Sequence, residues 1–236
     1  MPTSNNRFPR PRLRGLGIVS CFALALAGCT TTQSTAPVAP VRPAVDPGYV
    51  QMYAAIQDGD WHIPAVDVSE IDPRFLRQLV DYDTDEPVGT IVVDPYARFL
   101  YLVMENGKAM RYGIGVAKAG LEFQGSATID RKAQWPGWTP TQNMIAREPE
   151  RYGPLAGGME GGIENPLGAR ALYLYKNGRD TLYRLHGTTE PWSIGKRVSS
   201  GCIRLFNQDI IDLHKRVPTG SRVVVLDQSQ SGKGEV

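Results

Sequence analysis

The sequence predicts a mostly-β domain over residues 88–227, with one or two short helices. β-branched and aromatic residues recur there in short runs, which is typical of strands. Two pairs of these runs are joined by Asn106-Gly107 and Asn177-Gly178, and Asn-Gly is the strongest short signal for a β-hairpin. The hydrophobic content of 42% is enough for a buried core, so wholesale disorder is excluded.

The predicted elements follow one another along the chain. We expect strands at 90–94, 99–104, 109–116, 126–131, 171–175, 181–185 and 222–226. Asn207 can cap a helix near the end, which Pro218 stops. One side of this helix is apolar, with Ile210, Ile211, Leu213 and Val217.

The segment before the β domain, residues 49–87, is predicted as a short helical preamble. Asp72-Pro73 is a suitable N-cap and first-turn pair. Apolar residues follow at helical spacing, at Phe75, Leu76, Leu79 and Val80. We therefore expect a helix over 72–81. Residues 228–236 are expected to form a disordered tail.

Residues 1–28 have the order of an export signal. A basic stretch from Arg7 to Arg14 precedes an apolar run from Leu16 to Ala27. A permanent transmembrane anchor is the alternative, but a spanning helix needs about 20 apolar residues, more than this run supplies. Leu26-Ala27-Gly28-Cys29 resembles the lipobox of bacterial lipoproteins, which implies that Cys29 becomes a lipidated N-terminus.

The anchor and its tether suggest a place in the cell envelope. Thr30 stands where an Asp would imply inner-membrane retention, so the resemblance favours a lipid anchor in the outer membrane, on the periplasmic side. Residues 29–48 contain four prolines and form a predicted extended tether. Without residues 1–28, the chain has 22 basic and 24 acidic residues, a balance that does not predict a nucleic-acid binder.

Cys202 has no cysteine partner in the chain expected after export. Cys21 lies in the signal and Cys29 is the proposed lipid site. Structural cysteines in oxidising compartments usually occur in pairs. Cys202 is therefore either a buried inert residue or a reactive thiol.

Residues 132–168 form a long glycine-rich segment that contains Trp135 and Trp138. A connection of this length without a regular pattern is uncommon and is often functional, for example as a lid. A merely flexible surface loop is the alternative. The two tryptophans favour a lid, because large apolar side chains are rare in solvated loops.

His186 is the histidine best placed to activate Cys202. A thiol at its reference pKa of about 8.5 is mostly protonated at neutral pH, and the thiolate is the nucleophile. His186 ends a predicted strand, whereas His214 lies in the predicted helix and His62 in the preamble. A structural role for His186 is the alternative; as a base, it is expected to lower the thiol pKa. Gly201 allows a sharp turn that exposes neighbouring amides.

These residues form a signature that resembles one known family. His186-Gly187, a loop, and then Ser199-Ser200-Gly201-Cys202-Ile203-Arg204 is similar to the catalytic signature of YkuD-type L,D-transpeptidases. The similarity extends over residues 90–226 and implies a β-sandwich of mixed sheets. Ser200 stands where many members have His, as in the ErfK-like subgroup, so a second catalytic histidine is excluded.

The resemblance assigns roles to individual residues. It implies that Cys202 is the nucleophile, that His186 is its base and that the carbonyl of Gly187 orients the imidazole. It implies an oxyanion hole from the amides of Ser200, Gly201 and Cys202. It also implies that Arg204, together with Ser199, supports the site or contacts a substrate carboxylate.

The implied activity is 3→3 cross-linking of peptidoglycan stem peptides through a cysteinyl thioester. No metal or organic cofactor is expected, and carbapenems are expected to acylate Cys202. Three alternatives remain open at this stage. The same acyl-enzyme can be resolved by water or by a lysine of an envelope protein, and the chain can be a non-catalytic wall-binding lipoprotein.

Overall fold

Strands dominate residues 45–118 and 123–234, the part of the chain that our computed structural model describes. The strands are β1 (Ile56–Asp58), β2 (Trp61–Ile63), β3 (Gln78–Asp81), β4 (Ile91–Asp94), β5 (Phe99–Met104), β6 (Lys108–Gly113), β7 (Val116–Ala117), β8 (Gly125–Gln134), β9 (Arg170–Lys176), β10 (Arg179–His186), β11 (Arg197–Ser199), β12 (Ile203–Arg204) and β13 (Arg222–Val225). The α-helices are α1 (Pro47–Met52), α2 (Gln142–Arg147), α3 (Pro149–Tyr152) and α4 (Asn207–Arg216).

Nine of these strands form one mixed sheet, in the order β12-β10-β9-β8-β13-β4-β5-β6-β3. Neighbouring strands are antiparallel except at two places, where β13 lies parallel to β4 and β10 lies parallel to β12. β7 and β11 form a separate parallel pair, and β1 and β2 form a hairpin. The prediction of a mostly-β fold with mixed sheets and few short helices is confirmed.

The two Asn-Gly pairs form the tight hairpin turns that the sequence predicts. Asn106 and Gly107 have φ of 60° and 65°, and Asn177 and Gly178 have φ of 53° and 70°. Positive φ at both central residues is the requirement of the type I′ turn, which matches the twist of the flanking strands. β5 therefore pairs directly with β6, and β9 with β10.

Both faces of the sheet are buried around β4. Ile91 and Val93 point into a large core that runs along most of the sheet and includes the apolar side of α4. Val92, with the opposite orientation that strand geometry dictates, belongs to a second core. Residues before β4 cover this second face, among them Tyr53, Phe75 and Leu76.

Our prediction of a helix over residues 72–81 is wrong. The side chain of Asp72 does accept a hydrogen bond from the N–H of Arg74 at 3.1 Å, but the turn that it caps is a short 3₁₀ helix, Pro73–Phe75. β3 follows and pairs with β6 as the last strand of the large sheet. Leu79 faces solvent at 57% exposure, because burial along β3 alternates with the period of a strand.

The two ends of the described chain differ from our expectation in detail. α1 begins at Pro47, inside the predicted tether, and Cys29 lies outside the described residues. Residues 228–234, expected to be disordered, include a 3₁₀ helix capped by Asp227. Ser231 and Gly232 then donate hydrogen bonds to Asp94. No helix in the described part of the chain is long and apolar enough to cross a membrane.

A pair of substitutions tests whether the preamble is part of the core. Phe75 is 6% exposed and packs on Phe99 with ring centroids 5.4 Å apart. Phe75→Ala should lower the free energy of unfolding by about 3–5 kcal/mol, the usual cost of removing a buried ring. Leu79→Ala, four residues away but exposed, should change it by less than about 0.5 kcal/mol. Urea unfolding followed by tryptophan fluorescence measures both, and equal effects would contradict the packing described.

Candidate active site

His186 is the last residue of β10, and its ring is held by the chain that follows. β10 lies between β9 and β12 in the sheet, and the imidazole is 4% exposed. Its Nδ1 lies 2.5 Å from the carbonyl oxygen of Gly187. Because a carbonyl only accepts, Nδ1 carries the hydrogen, and Nε2 keeps the lone pair that a general base needs. This is the contact that the family resemblance implied for Gly187.

Burial lowers the pKa of His186 to about 3, and the nearby positive charge of Arg204 adds to this effect. The carbonyl of Gly187 offsets only part of the shift. The imidazole is therefore neutral at every pH near neutrality. A neutral imidazole can accept a proton, but it supplies no positive charge to a neighbouring thiol.

Cys202 lies directly after a glycine turn that joins β11 to β12. Gly201 has φ of 146°, which residues with a side chain rarely adopt, so the turn expected from the sequence is present. The half-buried Cys202 Sγ lies 3.8 Å from the carbonyl oxygen of Leu182, within range of a weak S–H hydrogen bond. The structure thus places the thiol against β10 at Leu182, which lies four residues before His186.

The expected lowering of the Cys202 pKa by His186 is wrong. Burial raises the pKa of Cys202 above its ordinary value, although the N–H and charge of Arg184 and the charge of Arg204 oppose this shift. A neutral imidazole carries no charge that would lower the pKa of Cys202. Burial therefore favours the uncharged forms of both Cys202 and His186.

Ser199 and Ser200 stabilise the turn that carries the thiol. Ser199 is buried, and its hydroxyl donates to the carbonyl of Cys202 at 2.5 Å. Ser200 Oγ lies 3.0 Å from the hydroxyl of Tyr152 in α3. The backbone N–H groups of Ser200 and Cys202 donate to no protein atom within residues 45–118 and 123–234.

Arg204 is paired inside the protein. Its Nη1 lies 2.5 Å from Oε2 of Glu190, and its side chain is only 13% exposed. The sequence indicated Arg204 but not Glu190, because the partner lies in the loop after His186 and belongs to no recognised motif. The pair joins that loop to β12.

Asn207 connects the segments behind His186. Its Oδ1 accepts a hydrogen bond from the N–H of Ala169 at 3.0 Å, and its Nδ2 donates to the carbonyl of Thr188 at 3.0 Å. We predicted that Asn207 caps α4, but Phe206 occupies that position and no side chain caps the helix. A Cβ on Gly168 or Gly187 would overlap with Oδ1 of Asn207, so only glycine fits at these two positions.

The glycine-rich segment between β8 and β9 has more structure than its sequence suggests. It contains α2 and α3, and Trp135 donates from Nε1 to Asp58 at 2.8 Å. Trp135 also packs on Trp61 with ring centroids 5.4 Å apart. A Cβ on Gly161 would overlap with the carbonyl of Trp135, so this glycine permits close packing. That the segment moves as a lid stays a prediction.

One cavity of about 360 Å³ brings these parts together. Both His186 and Cys202 line it, and α2 and α3 supply Arg147, Arg151 and Tyr152. Its lining contains arginines but no aspartate or glutamate, which suits an anionic ligand. Within the described residues, no group of three His, Cys, Asp or Glu side chains could hold a metal ion.

The neutral resting pair makes a prediction about reactivity. The rate of Cys202 alkylation by iodoacetamide should rise with pH and have its midpoint above the reference thiol value of about 8.5. His186→Ala should leave this midpoint nearly unchanged, because a neutral imidazole does not stabilise the thiolate. Mass spectrometry of the Cys202 peptide measures the rate. A midpoint well below 8.5 that rises in His186→Ala would show an ion pair instead.

Comparison with known proteins shows which family the chain resembles. The YkuD family model, described as the L,D-transpeptidase catalytic domain, matches residues 89–225. The Escherichia coli K12 protein named "Probable L,D-transpeptidase ErfK/SrfK" is 38% identical over 154 residues, which cover 64% of this chain and 48% of that protein. The chain thus spans about half the length of this curated relative.

Two solved structures are also similar. One, from Brucella melitensis and titled as a probable carnitine operon oxidoreductase, is 52% identical over 68% of this chain and 99% of that chain, with a TM-score of 0.46. L,D-transpeptidase 3 from Mycobacterium tuberculosis, in complex with a faropenem-derived adduct, is 16% identical over 60% of this chain and 61% of that chain, with a TM-score of 0.42. Because the family model covers more than half of the sequence, the chain belongs to the YkuD-type L,D-transpeptidase catalytic domain family, with relatives in the ErfK-like subgroup.

Proposed function

We propose that the chain is a cysteine acyltransferase that forms 3→3 cross-links between peptidoglycan stem peptides. The observation that carries this proposal is the shared cavity, which is lined by Cys202, by the neutral His186 and by the glycine turn at Ser200 and Gly201. A nucleophile, a base and oxyanion donors are the set that acyl transfer requires. Membership of the family supports the same reaction class.

The first half-reaction would form the thioester. Cys202 Sγ attacks the carbonyl carbon at the L-centre of the diamino acid, while Nε2 of His186 takes the thiol proton. The carbonyl oxygen becomes an oxyanion that the N–H groups of Ser200 and Cys202 stabilise, with that of Gly201 beside them. When the C–N bond breaks, the imidazolium returns the proton to the leaving amine of D-alanine.

The second half-reaction would resolve the thioester. An amine of a second stem peptide attacks the acyl carbon, His186 takes the amine proton, and Cys202 leaves as a thiolate that regains this proton. Water in place of the amine would give hydrolysis, and a protein lysine would give attachment to the wall.

The charge of the cavity supports this substrate class. Stem peptides carry a free carboxylate at their end, and the cavity presents Arg147, Arg151 and Arg204 without a carboxylate of its own. Glu190 is paired with Arg204, and Glu148 lies 3.4 Å from Arg151 of α3, so carboxylates outside the lining partly neutralise both of these charges. A carboxylate inside the cavity would be attracted by these arginines and would meet no carboxylate in the lining that repels it.

The main test of this proposal uses the nucleophile. Wild-type protein incubated with wall sacculi should produce 3→3 dimers in a muropeptide digest. Cys202→Ser should reduce them to background, because a hydroxyl is a far weaker nucleophile in a site that lacks a charged base. Ser229→Ala, at an exposed position outside the cavity, is the matched control and should retain full activity.

Each other result of that digest contradicts 3→3 transpeptidation in a different way. Loss of existing cross-links would indicate a hydrolase, and an unchanged digest together with tight sacculus binding would indicate a wall-binding protein. We also propose that carbapenems acylate Cys202, as expected from the family. A one-to-one adduct on the intact protein, absent in Cys202→Ser, would support this assignment.

A second proposal concerns location. We propose that Cys29 carries lipid and holds the chain at the periplasmic side of the envelope, with the outer membrane favoured by Thr30. Because several acyl chains on one terminus give stable anchoring, detergent extracts should contain a protein that begins at an acylated Cys29. Mass spectrometry of the N-terminal peptide tests this. An unmodified terminus, or an intact Met1, would exclude it.

A further inference from the structure

β10 is irregular at the point where it passes the thiol. Its pairing with β9 shifts register between Asp180 and Arg184. Leu182, in the middle of this bulge, has φ of 63° and is 60% exposed. Positive φ is unfavourable for a residue with a branched side chain, and an apolar side chain gains nothing from solvent. Such a conformation persists only where surrounding contacts impose it.

An ion pair inside the bulge supplies these contacts. Both terminal nitrogens of Arg184 donate to the carboxylate of Asp180, at 2.6 and 2.7 Å. Asp180 Oδ1 also accepts from the N–H of Leu182 at 2.8 Å. The guanidinium of Arg184 stacks 4.3 Å from the ring centre of Tyr173 on β9. One carboxylate therefore fixes both ends of the bulge and its strained residue.

The backbone of this bulge faces Cys202. The carbonyl oxygen of Leu182 lies 3.8 Å from Sγ and accepts from the thiol. The backbone N–H of Arg184, two residues further along, lowers the pKa of the thiol. In a strand, the carbonyl of one residue and the N–H of the residue two positions on point to the same side, so β10 presents both groups towards the sulfur. The bulge at Leu182 determines where the carbonyl lies.

We propose that Asp180 and Arg184 are positioning residues for the Cys202 thiol, because their ion pair shapes the bulge that holds the sulfur and sets the balance of charge beside it. This role rests on the proposed function, in which Cys202 is the nucleophile. Neither residue belongs to the His-Gly and Ser-Ser-Gly-Cys signature. Arg184 and Asp180 do not touch the substrate in this proposal, and they act through the sulfur.

The charges that face the sulfur come from several elements. Arg184 and Asp180 lie on β10, together with the neutral His186, and Arg204 lies on β12. Arg147, Arg151 and Tyr152, from α2 and α3, line the same cavity. The positive charges of Arg184 and Arg204 favour the thiolate, whereas the carboxylate of Asp180 opposes it. Burial alone would raise the pKa of Asp180, but the hydrogen bonds and charge of Arg184 hold it below the ordinary value, so this carboxylate stays ionised.

Removing Asp180 and removing Arg184 should therefore shift the pKa of the thiol in opposite directions. Asp180→Asn leaves the positive charge of Arg184 uncompensated and should lower the midpoint of the alkylation profile by about one pH unit. Arg184→Gln leaves the carboxylate uncompensated and should raise the midpoint by a similar amount. A purely structural pair would behave differently, because either substitution would loosen the same bulge and shift the midpoint in the same direction.

The experiment measures the pH profile of Cys202 alkylation by iodoacetamide on the full chain, quantified on the Cys202 peptide by mass spectrometry. The two single variants are compared with the double variant Asp180→Asn/Arg184→Gln, in which the opposite shifts should cancel to within about 0.3 pH unit. Asp81→Asn, which removes a surface ion pair with Lys108 on the edge of the sheet, is the matched control and should leave the midpoint unchanged.

Shifts of the same sign, or no shift in either single variant, would overturn the proposal. If Arg184→Gln does not fold, Arg184→Lys replaces it: a lysine keeps the positive charge and should leave the midpoint near the wild-type value while Asp180→Asn lowers it. Equal shifts in those two variants would overturn the proposal equally. The profile is read on the thiol without substrate, so its outcome is independent of whether the chain cross-links stem peptides.

Discussion

The side-chain amide of Asn207 joins three segments that meet behind the candidate base. It accepts from the N–H of Ala169 at the start of β9 and donates to the carbonyl of Thr188 beyond β10. Both partners are backbone groups in a buried place, where an unmade hydrogen bond is costly. Because Gly187 lacks a Cβ, the amide can approach the chain closely enough to make these bonds. This one side chain therefore ties together the segments that flank His186.

The same helix is tied at its other side to the residues before β4. Asp209 is fully buried and accepts from the hydroxyl of Tyr53 at 3.0 Å, while Arg77 lies 3.0 Å from a carboxylate oxygen of Asp212. Burial raises the pKa of Asp209 to about 7, although the charge of Arg77 opposes the shift. The preamble is therefore continuous with the core, and it supports the first turn of α4, which carries Asn207.

The sequence predicts those features that depend on local chemistry. Asn106-Gly107 forms its turn because both residues tolerate positive φ. The signature around His186 and Cys202 is likewise readable from a short stretch of sequence. Features decided by distant neighbours could not be predicted. The apolar spacing within residues 72–81 fits a helix as well as a strand, and only pairing with β6 decides between them. Glu190 was missed for the same reason, since nothing in its surrounding sequence indicates a partner in β12.

A protonated thiol among arginines has a chemical advantage in the compartment that we propose for this chain. Oxidation of cysteine follows thiolate character, so a thiol with a raised pKa resists oxidants while the site is empty. In the reaction that we propose, entry of a substrate would exclude water, and His186 would take the proton only when a carbonyl carbon is within reach. Arg184 and Arg204 would then favour the negative charge that develops on sulfur and acyl oxygen, because positive charge already placed in a water-poor cavity needs no rearrangement. On this proposal, the nucleophilicity of Cys202 depends on the occupancy of the cavity.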